Sequence, residues 1–171
     1  MKLLDHLRSR RRLFDCLAAL ACVLMLAYAY FLQFHRGLEP CPLCIFQRIA
    51  IAALGLAFIL AAIPPAAWRG LRSVATVLVA LAAGAGIAVA ARHLYIQSLP
   101  PGQVPVCGAT LDYMWEVFPA MDVLRKVLTG SGECARIDWT FLGLAMPAWV
   151  MICAVLLGVA GVLVNWPARR R

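Results

Sequence analysis

Four long runs of apolar residues dominate this 171-residue chain and are separated by short polar segments. A helix of about 20 apolar residues crosses a bilayer core, so each run is long enough to span a membrane. The predicted spans cover residues 13–34, 45–63, 73–91 and 141–164. Hydrophobic residues make up 64% of the chain, which excludes a soluble domain that must present a polar face to water. The sequence therefore predicts an all-α membrane protein, a single domain formed by a four-transmembrane-helix bundle.

Basic residues predict which ends of the spans face the cytoplasm. The net charge is +8, and the basic residues cluster before the first span, after the second and after the fourth. They are Lys2, Arg8, Arg10, Arg11, Arg12, Arg69, Arg72, Arg169, Arg170 and Arg171. By the positive-inside rule both termini are cytoplasmic, and the loops 35–44 and 92–140 lie on the outer side. Because these charges flank apolar runs and do not alternate with aromatic residues on a soluble patch, nucleic acid is not expected as a partner.

Three predictions concern how residues of the spans and of the second outer loop pack. In the third span Ala80, Gly84 and Ala88 recur at four-residue steps, which favours close approach of a neighbouring helix. Cysteines inside the spans are expected to act as small apolar packing residues; these are Cys16, Cys22 and Cys153. Apolar residues at helical spacing predict a short amphipathic helix in the membrane interface, divided or bent at Pro119. They are Leu111, Met114, Trp115, Phe118, Met121, Leu124 and Leu128.

The segment Pro40–Arg48, with the sequence P-C-P-L-C-I-F-Q-R, places two cysteines directly before the second span. A helix that begins at Cys44 or Ile45 directs unpaired backbone N–H groups at the two sulfurs, which favours the reactive thiolate. Arg48 follows Cys44 by one helical turn, so its guanidinium is predicted to cover the same sulfur. Taken alone, the two cysteines are also compatible with half of a zinc site or a structural disulfide, and Arg48 with an interface residue.

The predicted topology brings four cysteines, Cys41, Cys44, Cys107 and Cys134, to the outer side. A four-cysteine metal site usually has two close-spaced pairs, whereas Cys107 and Cys134 are far apart in the sequence. An oxidising outer compartment also favours disulfides. We therefore favour a relay in which two disulfides exchange electrons by thiolate attack. A non-catalytic metal-binding protein and a conduit that carries electrons outwards as a reductant remain alternatives.

The positions of these cysteines predict the two ends of such a relay. Cys107 lies in a loop rich in Pro and Gly, where an external dithiol protein could attack it. Cys41 and Cys44 lie at the membrane edge, which suits a lipid-soluble electron acceptor such as a quinone. His93 follows the third span on the same side and could hydrogen-bond a quinone carbonyl or handle a proton, or could equally cap the end of a helix.

Several motifs together resemble the disulfide bond formation protein B family, DsbB, over the whole chain. They are Pro40–Arg48, Val106-Cys107-Gly108, the segment Gly130–Ala135 that contains Cys134, and W-T-F-L-G-L-A-M-P-A-W at Trp139–Trp149. Gln47 stands where some members of the family have an acid. The resemblance implies a bacterial inner-membrane protein whose active cysteines face the periplasm.

The resemblance also implies a mechanism. Reduced DsbA, a soluble thioredoxin-fold oxidant, would attack Cys107 of a Cys107–Cys134 disulfide. Cys134 would then attack Cys41, and Cys44 would pass the electrons to ubiquinone, with menaquinone as a possible substitute and no metal involved. Arg48, His93 and Met146 match family positions near the quinone. The expected partners are therefore a DsbA-type protein, the membrane quinone pool and the lipid bilayer.

Overall fold

A computed structural model describes residues 9–65, 68–100, 103, 113, 116–130 and 132–166 of the chain. The helices in this part are α1 (Arg11–Arg36), α2 (Pro42–Ala62), α3 (Arg69–Gln97), α4 (Ala120–Thr129) and α5 (Gly132–Ala135), followed by α6 (Met146–Asn165). Strands β1 (Thr140–Phe141) and β2 (Leu144–Ala145) form an antiparallel hairpin before α6. Within the described residues, α1, α2, α3 and α6 are long and apolar enough to cross a membrane. The predicted four-helix membrane fold is confirmed.

Small residues allow the four long helices to pack closely. Alanines make up half of the ten buried residues in the core between them, and larger side chains such as Leu54, Phe58 and Val79 fill the rest. A Cβ added to Gly158 would lie 2.6 Å from the Cβ of Ala83, and one added to Gly161 would lie 2.7 Å from the ring of Phe58. Side chains larger than hydrogen therefore do not fit at these two positions, and α6 approaches its neighbours at the distance that glycine permits.

The prediction that the small residues at four-residue steps form the packing face of the third span is wrong. Ala80, Gly84 and Ala88 lie on the exposed side of α3, and a Cβ on Gly84 would meet no atom within 4 Å. The buried face of α3, which packs against the other helices, contains Ala75, Val79, Ala83, Gly86 and Ala90. Small residues occur on both sides of this span, so four-residue spacing alone does not distinguish the face that contacts protein from the face directed outwards.

The cysteines inside the long helices occupy different environments. Cys22 is buried in the core, as expected for a small packing residue. A Cβ added to Gly55 would lie 3.1 Å from the Cβ of Cys22. Cys153 is half-buried on α6. Cys16, however, is exposed on α1, so the prediction of a packing role is wrong for this residue. It faces away from the bundle because the core-facing side of α1 at this level is formed by Asp15, Ala18 and Ala19.

A buried polar cluster joins the helices at the end of the bundle where α1 begins. Arg11 donates hydrogen bonds to the carbonyl oxygens of Ala61, at 2.9 Å, and Pro64, at 2.6 Å. The amide of Asn165 donates to Asp15 Oδ1 at 2.7 Å. These bonds satisfy carbonyls left unpaired at the C-terminus of α2 and connect α1 to both α2 and α6. We call this end the basic end of the bundle, and the opposite end, which carries Cys41 and Cys44, the cysteine end.

All four long helices differ in length from the spans predicted by hydropathy, and the largest differences are in α3 and α6. The second helix begins at Pro42 and not at Cys44 or Ile45 as predicted. α3 continues to Gln97, beyond the predicted limit at residue 91, so His93 lies inside the helix. α6 begins at Met146 and not at residue 141, because residues 140–145 form the hairpin. Its two turn residues, Leu142 and Gly143, both have positive φ, as a two-residue hairpin turn requires. Apolar strand residues next to an apolar helix give one continuous hydropathy signal, which conceals this boundary.

Helix α4 covers the cysteine end of the bundle. It begins directly after Pro119, in agreement with the prediction that this proline divides the loop helix. Val123 and Val127 are its buried residues and pack with Leu43 and Ile96. Met121, which was predicted on the apolar face, is 74% exposed. Leu111, Met114, Trp115 and the side chains of Leu124 and Leu128 lie outside the described part of the chain.

Candidate active site

The two cysteines of the C-P-L-C motif stand at the N-terminus of α2. Cys41 is the N-cap residue with an extended backbone (φ −64°, ψ 162°), and its Sγ accepts a hydrogen bond from the backbone N–H of Cys44 at 3.4 Å. Pro42 occupies the first turn, where its fixed φ suits a helix start. The two sulfurs are 3.2 Å apart, and a disulfide bond is about 2.05 Å long, so the pair is a dithiol. Two adjacent thiols at the positive end of a helix can cycle between dithiol and disulfide.

His93 connects this dithiol to the loop that carries Cys134. The imidazole is buried, and its Nε2 lies 3.8 Å from Cys41 Sγ and 3.0 Å from the carbonyl oxygen of Cys134. Its Nδ1 lies 2.9 Å from Gln47 Nε2. A carbonyl only accepts hydrogen bonds, so Nε2 carries the proton and Nδ1 accepts from the Gln47 amide. The hydrogen-bond network therefore fits the neutral Nε2–H form of His93.

The last two turns of α3 anchor the loop. Arg92 donates a hydrogen bond to the carbonyl oxygen of Thr129 at 2.9 Å, and Gln97 donates to that of Arg136 at 3.5 Å. Gly130, the residue directly after α4, has a φ of 83°, and a Cβ at this position would lie 2.2 Å from Ile96 Cδ1. Only glycine combines this backbone conformation with so close an approach to α3. Together with His93, these contacts hold the segment from α4 to α5 against the cysteine end.

As a result, Cys134 joins the same buried cluster as Cys41. Cys134 is fully buried in α5 and packs with Cys41, Ile96, Val123 and Val127. Cys44 is half-buried at the edge of this cluster. Three of the four cysteines predicted to act together thus lie in one place. The fourth, Cys107, is outside the described residues.

Arg48 is held by α1. Its guanidinium donates hydrogen bonds to Gln33 Oε1 and to the carbonyl oxygen of Ala29, the latter at 3.2 Å, and it lies 4.8 Å from the centre of the Tyr30 ring. The sequence analysis expected the guanidinium to cover the sulfur of Cys44. Arg48 is close enough to Cys44 to interact with it electrostatically, while its hydrogen bonds run to the carbonyl and amide oxygens of α1.

A cavity of about 810 Å³ lies beside the dithiol at the cysteine end. All four residues predicted to contact a cofactor line it: Cys44, Arg48, His93 and Met146. Apolar side chains of three helices, including Leu32, Ile51 and Val150, form much of the remaining wall. The volume falls in the range of about 300–1,000 Å³ that is typical of sites for small organic ligands. Donor groups on an apolar wall suit a flat ligand with carbonyl oxygens.

Sequence reasoning missed several residues that build this site. Gln33 positions Arg48, Gln47 pairs with His93, and Arg92 and Gln97 anchor the loop. The available signal was weak: Arg92 and Gln97 follow the end of the third apolar run, as ordinary interface residues do. Their partners are backbone carbonyls of a distant loop, which no spacing in the sequence identifies.

Four membrane-length helices with a dithiol at the N-terminus of one of them define a class of protein, the integral membrane thiol–disulfide oxidoreductases. The chain belongs to the DsbB family: the family model for disulfide bond formation protein DsbB matches residues 11–164. Family membership assigns it to disulfide bond formation, as a multi-pass membrane protein with disulfide oxidoreductase activity.

Curated relatives match over nearly the full length of both chains. A disulfide bond formation protein B of Methylococcus capsulatus is 49% identical over 154 residues, which cover 90% of this chain and 93% of the relative. One of Xylella fastidiosa is 45% identical over 158 residues, covering 92% and 91%. One of Xanthomonas euvesicatoria is 48% identical over 155 residues, covering 90% of each. The resemblance stated from the motifs is therefore confirmed.

Proposed function

We propose that this protein reoxidises a DsbA-type dithiol protein in the periplasm and passes the electrons to a membrane quinone, ubiquinone or menaquinone. The observation that carries the proposal is the position of the dithiol. Cys41 and Cys44 line a cavity of about 810 Å³ with a partly apolar wall at the end of a membrane helix bundle, and Cys134 packs in the same cluster as Cys41. A sulfur pair placed between a loop cysteine and an apolar cavity can receive electrons on one side and release them on the other.

The first steps are disulfide exchanges among the four cysteines. A thiolate of the donor attacks Cys107 of a Cys107–Cys134 disulfide, which releases Cys134 as a thiolate. Cys134 attacks Cys41 of the Cys41–Cys44 disulfide, so that a Cys41–Cys134 bond forms and Cys44 leaves as a thiolate. The N-terminus of α2 supports this step, because its backbone N–H groups and positive dipole end stabilise negative charge on the leaving sulfur. The second thiol of the donor then attacks the mixed disulfide, which releases the oxidised donor and a Cys107 thiolate. Cys107 attacks Cys134 of the Cys41–Cys134 bond, so the Cys107–Cys134 disulfide re-forms and Cys41 leaves as a thiolate. The electron pair of the donor then resides on the Cys41–Cys44 dithiol, and Cys44 passes it to the acceptor as the Cys41–Cys44 disulfide re-forms.

Residues around the cavity fit a quinone as the acceptor. When bound, a quinone supplies a sink for two electrons and two protons. Arg48 is fixed by Gln33 and Ala29 on the wall, where its guanidinium can bind a carbonyl oxygen and favour negative charge. Met146, the first residue of α6, contributes an adaptable apolar contact. Cys44, half-buried at the cavity edge, is the sulfur that faces the acceptor.

His93 is the candidate for proton handling. It holds a proton on Nε2, within 3.8 Å of Cys41 Sγ, and its Nδ1 can accept a second proton. Gln47 can serve either form, because its amide donates to a bare Nδ1 and, after a flip, accepts from a protonated one. Since imidazole changes its charge near neutral pH, His93 can exchange protons between the sulfurs and the cavity.

The same proposal includes an orientation in the bacterial inner membrane. Arg11, Arg12, Arg69 and Arg72 all lie at the basic end, opposite the dithiol. Cytoplasmic ends of membrane helices carry an excess of such residues. The cysteine end then faces the periplasm, where donors of disulfides work, and both termini are cytoplasmic.

Quinone reduction by the purified protein tests the proposal. With a reduced DsbA-type donor, the wild type is expected to reduce a soluble ubiquinone analogue, and to do nothing without the donor. Replacing Arg48 with methionine should raise the KM for the quinone at least about tenfold, because a charge-assisted hydrogen bond is lost. Donor attack on Cys107, followed as a mixed disulfide, should remain unchanged.

Arg36→Met is the matched control for this experiment. Arg36 is an exposed basic residue at the C-terminus of α1, at the cysteine end of the bundle, and it does not line the cavity. Its replacement therefore removes the same charge without touching the acceptor site. An unchanged KM in Arg48→Met would contradict the placement of Arg48. A wild-type protein that oxidises the donor without reducing any quinone would contradict the proposed function.

A further inference from the structure

Three metal-ligating atoms converge in the site: Cys41 Sγ, Cys44 Sγ and a ring nitrogen of His93 all lie within 4.8 Å of one another. His93 Nε2 is the nitrogen that lies 3.8 Å from Cys41 Sγ. We propose that the reduced form of the protein binds a thiophilic divalent cation such as Zn²⁺ at these three atoms, and that the bound cation blocks reoxidation of the dithiol. The binding depends only on this geometry, whereas its inhibitory effect rests on the proposed function.

The distances between the three atoms are close to those of a tetrahedral zinc site. Zn–S bonds of about 2.3 Å and Zn–N bonds of about 2.0–2.1 Å place neighbouring sulfurs about 3.8 Å apart and a sulfur and nitrogen about 3.6 Å apart. Here the two sulfurs are 3.2 Å apart, and Cys41 Sγ lies 3.8 Å from His93 Nε2. The two sulfurs must therefore separate by about 0.6 Å, and the Cys44 sulfur, which is within 4.8 Å of the histidine nitrogen, must settle about 3.6 Å from it. Rotation of the cysteine side chains can provide such shifts.

His93 can become a ligand by moving one proton. Its Nε2–H now donates to the carbonyl oxygen of Cys134, so a cation at Nε2 requires the proton on Nδ1. Nδ1–H then donates to the oxygen of Gln47, whose amide nitrogen is 2.9 Å away in the present orientation and whose flip exchanges the two atoms. A metal-bound histidine usually donates its second N–H to such a partner, which fixes the ring and strengthens the ligand. Gln47 is therefore an outer-shell partner of the proposed site.

Cation binding at this site depends on the redox state of the dithiol. A cation needs thiolates as ligands, and a Cys41–Cys44 disulfide offers none, so only the reduced protein binds. The cation also replaces the hydrogen bond between His93 and Cys134, and so removes one anchor of α5. A fourth coordination position remains for water, because the half-buried Cys44 borders the cavity. Disulfide exchange stops while the cation holds both sulfurs.

Cobalt titration tests the site without reference to catalysis. We expect the reduced full-length protein in detergent to bind one Co²⁺, with the ligand-field bands of tetrahedral cobalt and a sulfur-to-cobalt charge-transfer band whose intensity reports two thiolates. Zn²⁺ should displace the Co²⁺. The same spectrum is expected when Cys107 and Cys134 are both replaced by serine, since the three ligands remain. The oxidised protein should show no such bands, and this comparison requires no variant.

Ligand variants show which atoms bind. His93→Gln should weaken Co²⁺ binding by more than about tenfold and Gln47→Leu by about 10–100-fold, as is usual for an outer-shell partner. Cys16→Ser, an exposed position remote from the site, should leave binding unchanged. Equal binding in His93→Gln, loss of binding in the variant without loop cysteines, or absence of the cobalt bands from the reduced wild type would each overturn the proposal. Quinone turnover measured on the same metal-free preparation shows separately whether the proposed function holds.

Discussion

Replacing Cys44 with serine is expected to abolish donor-dependent reduction of a quinone while the helix bundle remains folded. In the proposed mechanism Cys44 passes the electron pair to the quinone; it borders the cavity, and serine cannot form the Cys41–Cys44 disulfide. Loss of a nucleophile that acts as part of a unit costs roughly a thousandfold or more in turnover. Anaerobic quinone reduction at saturating donor measures this effect.

Two comparisons separate the chemical effect from a structural one. Cys16→Ser removes a thiol from the exposed side of α1 and should retain full turnover. In Cys44→Ser the donor should still form a mixed disulfide at Cys107, because that step precedes any use of Cys44. Measurable quinone reduction by Cys44→Ser at more than a few per cent of the wild-type rate would contradict the role assigned to this sulfur.

The second large effect is expected from Val127→Asp in α4. Val127 is 2% exposed and packs in the cluster that contains Cys41 and Cys134. A carboxylate buried there without a partner costs several kcal/mol, more than the docking of one short helix can offset. α4 should therefore detach and Cys134 should lose its fixed position near Cys41. Because positioning of reacting groups contributes orders of magnitude to rate, turnover with the protein donor should fall at least about a hundredfold.

Met121→Asp is the matched control for this prediction. Met121 lies on the same helix and is 74% exposed, so the same charge there should leave turnover nearly unchanged. Quinone reduction with dithiothreitol as the donor, which does not need the loop, should persist in Val127→Asp and shows that the bundle and its acceptor site are intact. Equal turnover in the two variants would show that docking of α4 is not needed for electron transfer.

The long helices and the dithiol could be predicted from the sequence because each depends on local signals. Hydropathy identified all four membrane helices, and the C-P-L-C motif marked the dithiol before the second of them. The predicted helix start at Cys44 or Ile45 is too late, because Cys41 is the N-cap and Pro42 suits the first turn. The proline at position 119 likewise marked the start of α4. Such features are encoded within a few residues of where they occur.

The contacts that assemble the site could not be predicted in the same way. Arg48 was expected over Cys44 because both lie on one helix, yet its partners Gln33 and Ala29 belong to α1. His93 was expected beside a quinone, but its pairing with Gln47 and with the carbonyl of Cys134 depends on how α2, α3 and α5 meet. Which polar side chains on different helices become partners depends on how the helices pack. The largely apolar sequences of the helices contain few signals that specify this packing.

In the proposed mechanism, Cys134 passes electrons to Cys41 beside the cavity. The most direct test is a variant in which Cys44 and Cys107 are both serine, oxidised with diamide and examined by mass spectrometry of its peptides. We expect a Cys41–Cys134 disulfide within one chain in most molecules, because His93 contacts both residues and the two cysteines share one buried cluster. If the two sulfurs stay unlinked, or link only between separate chains, the proposed electron path is contradicted.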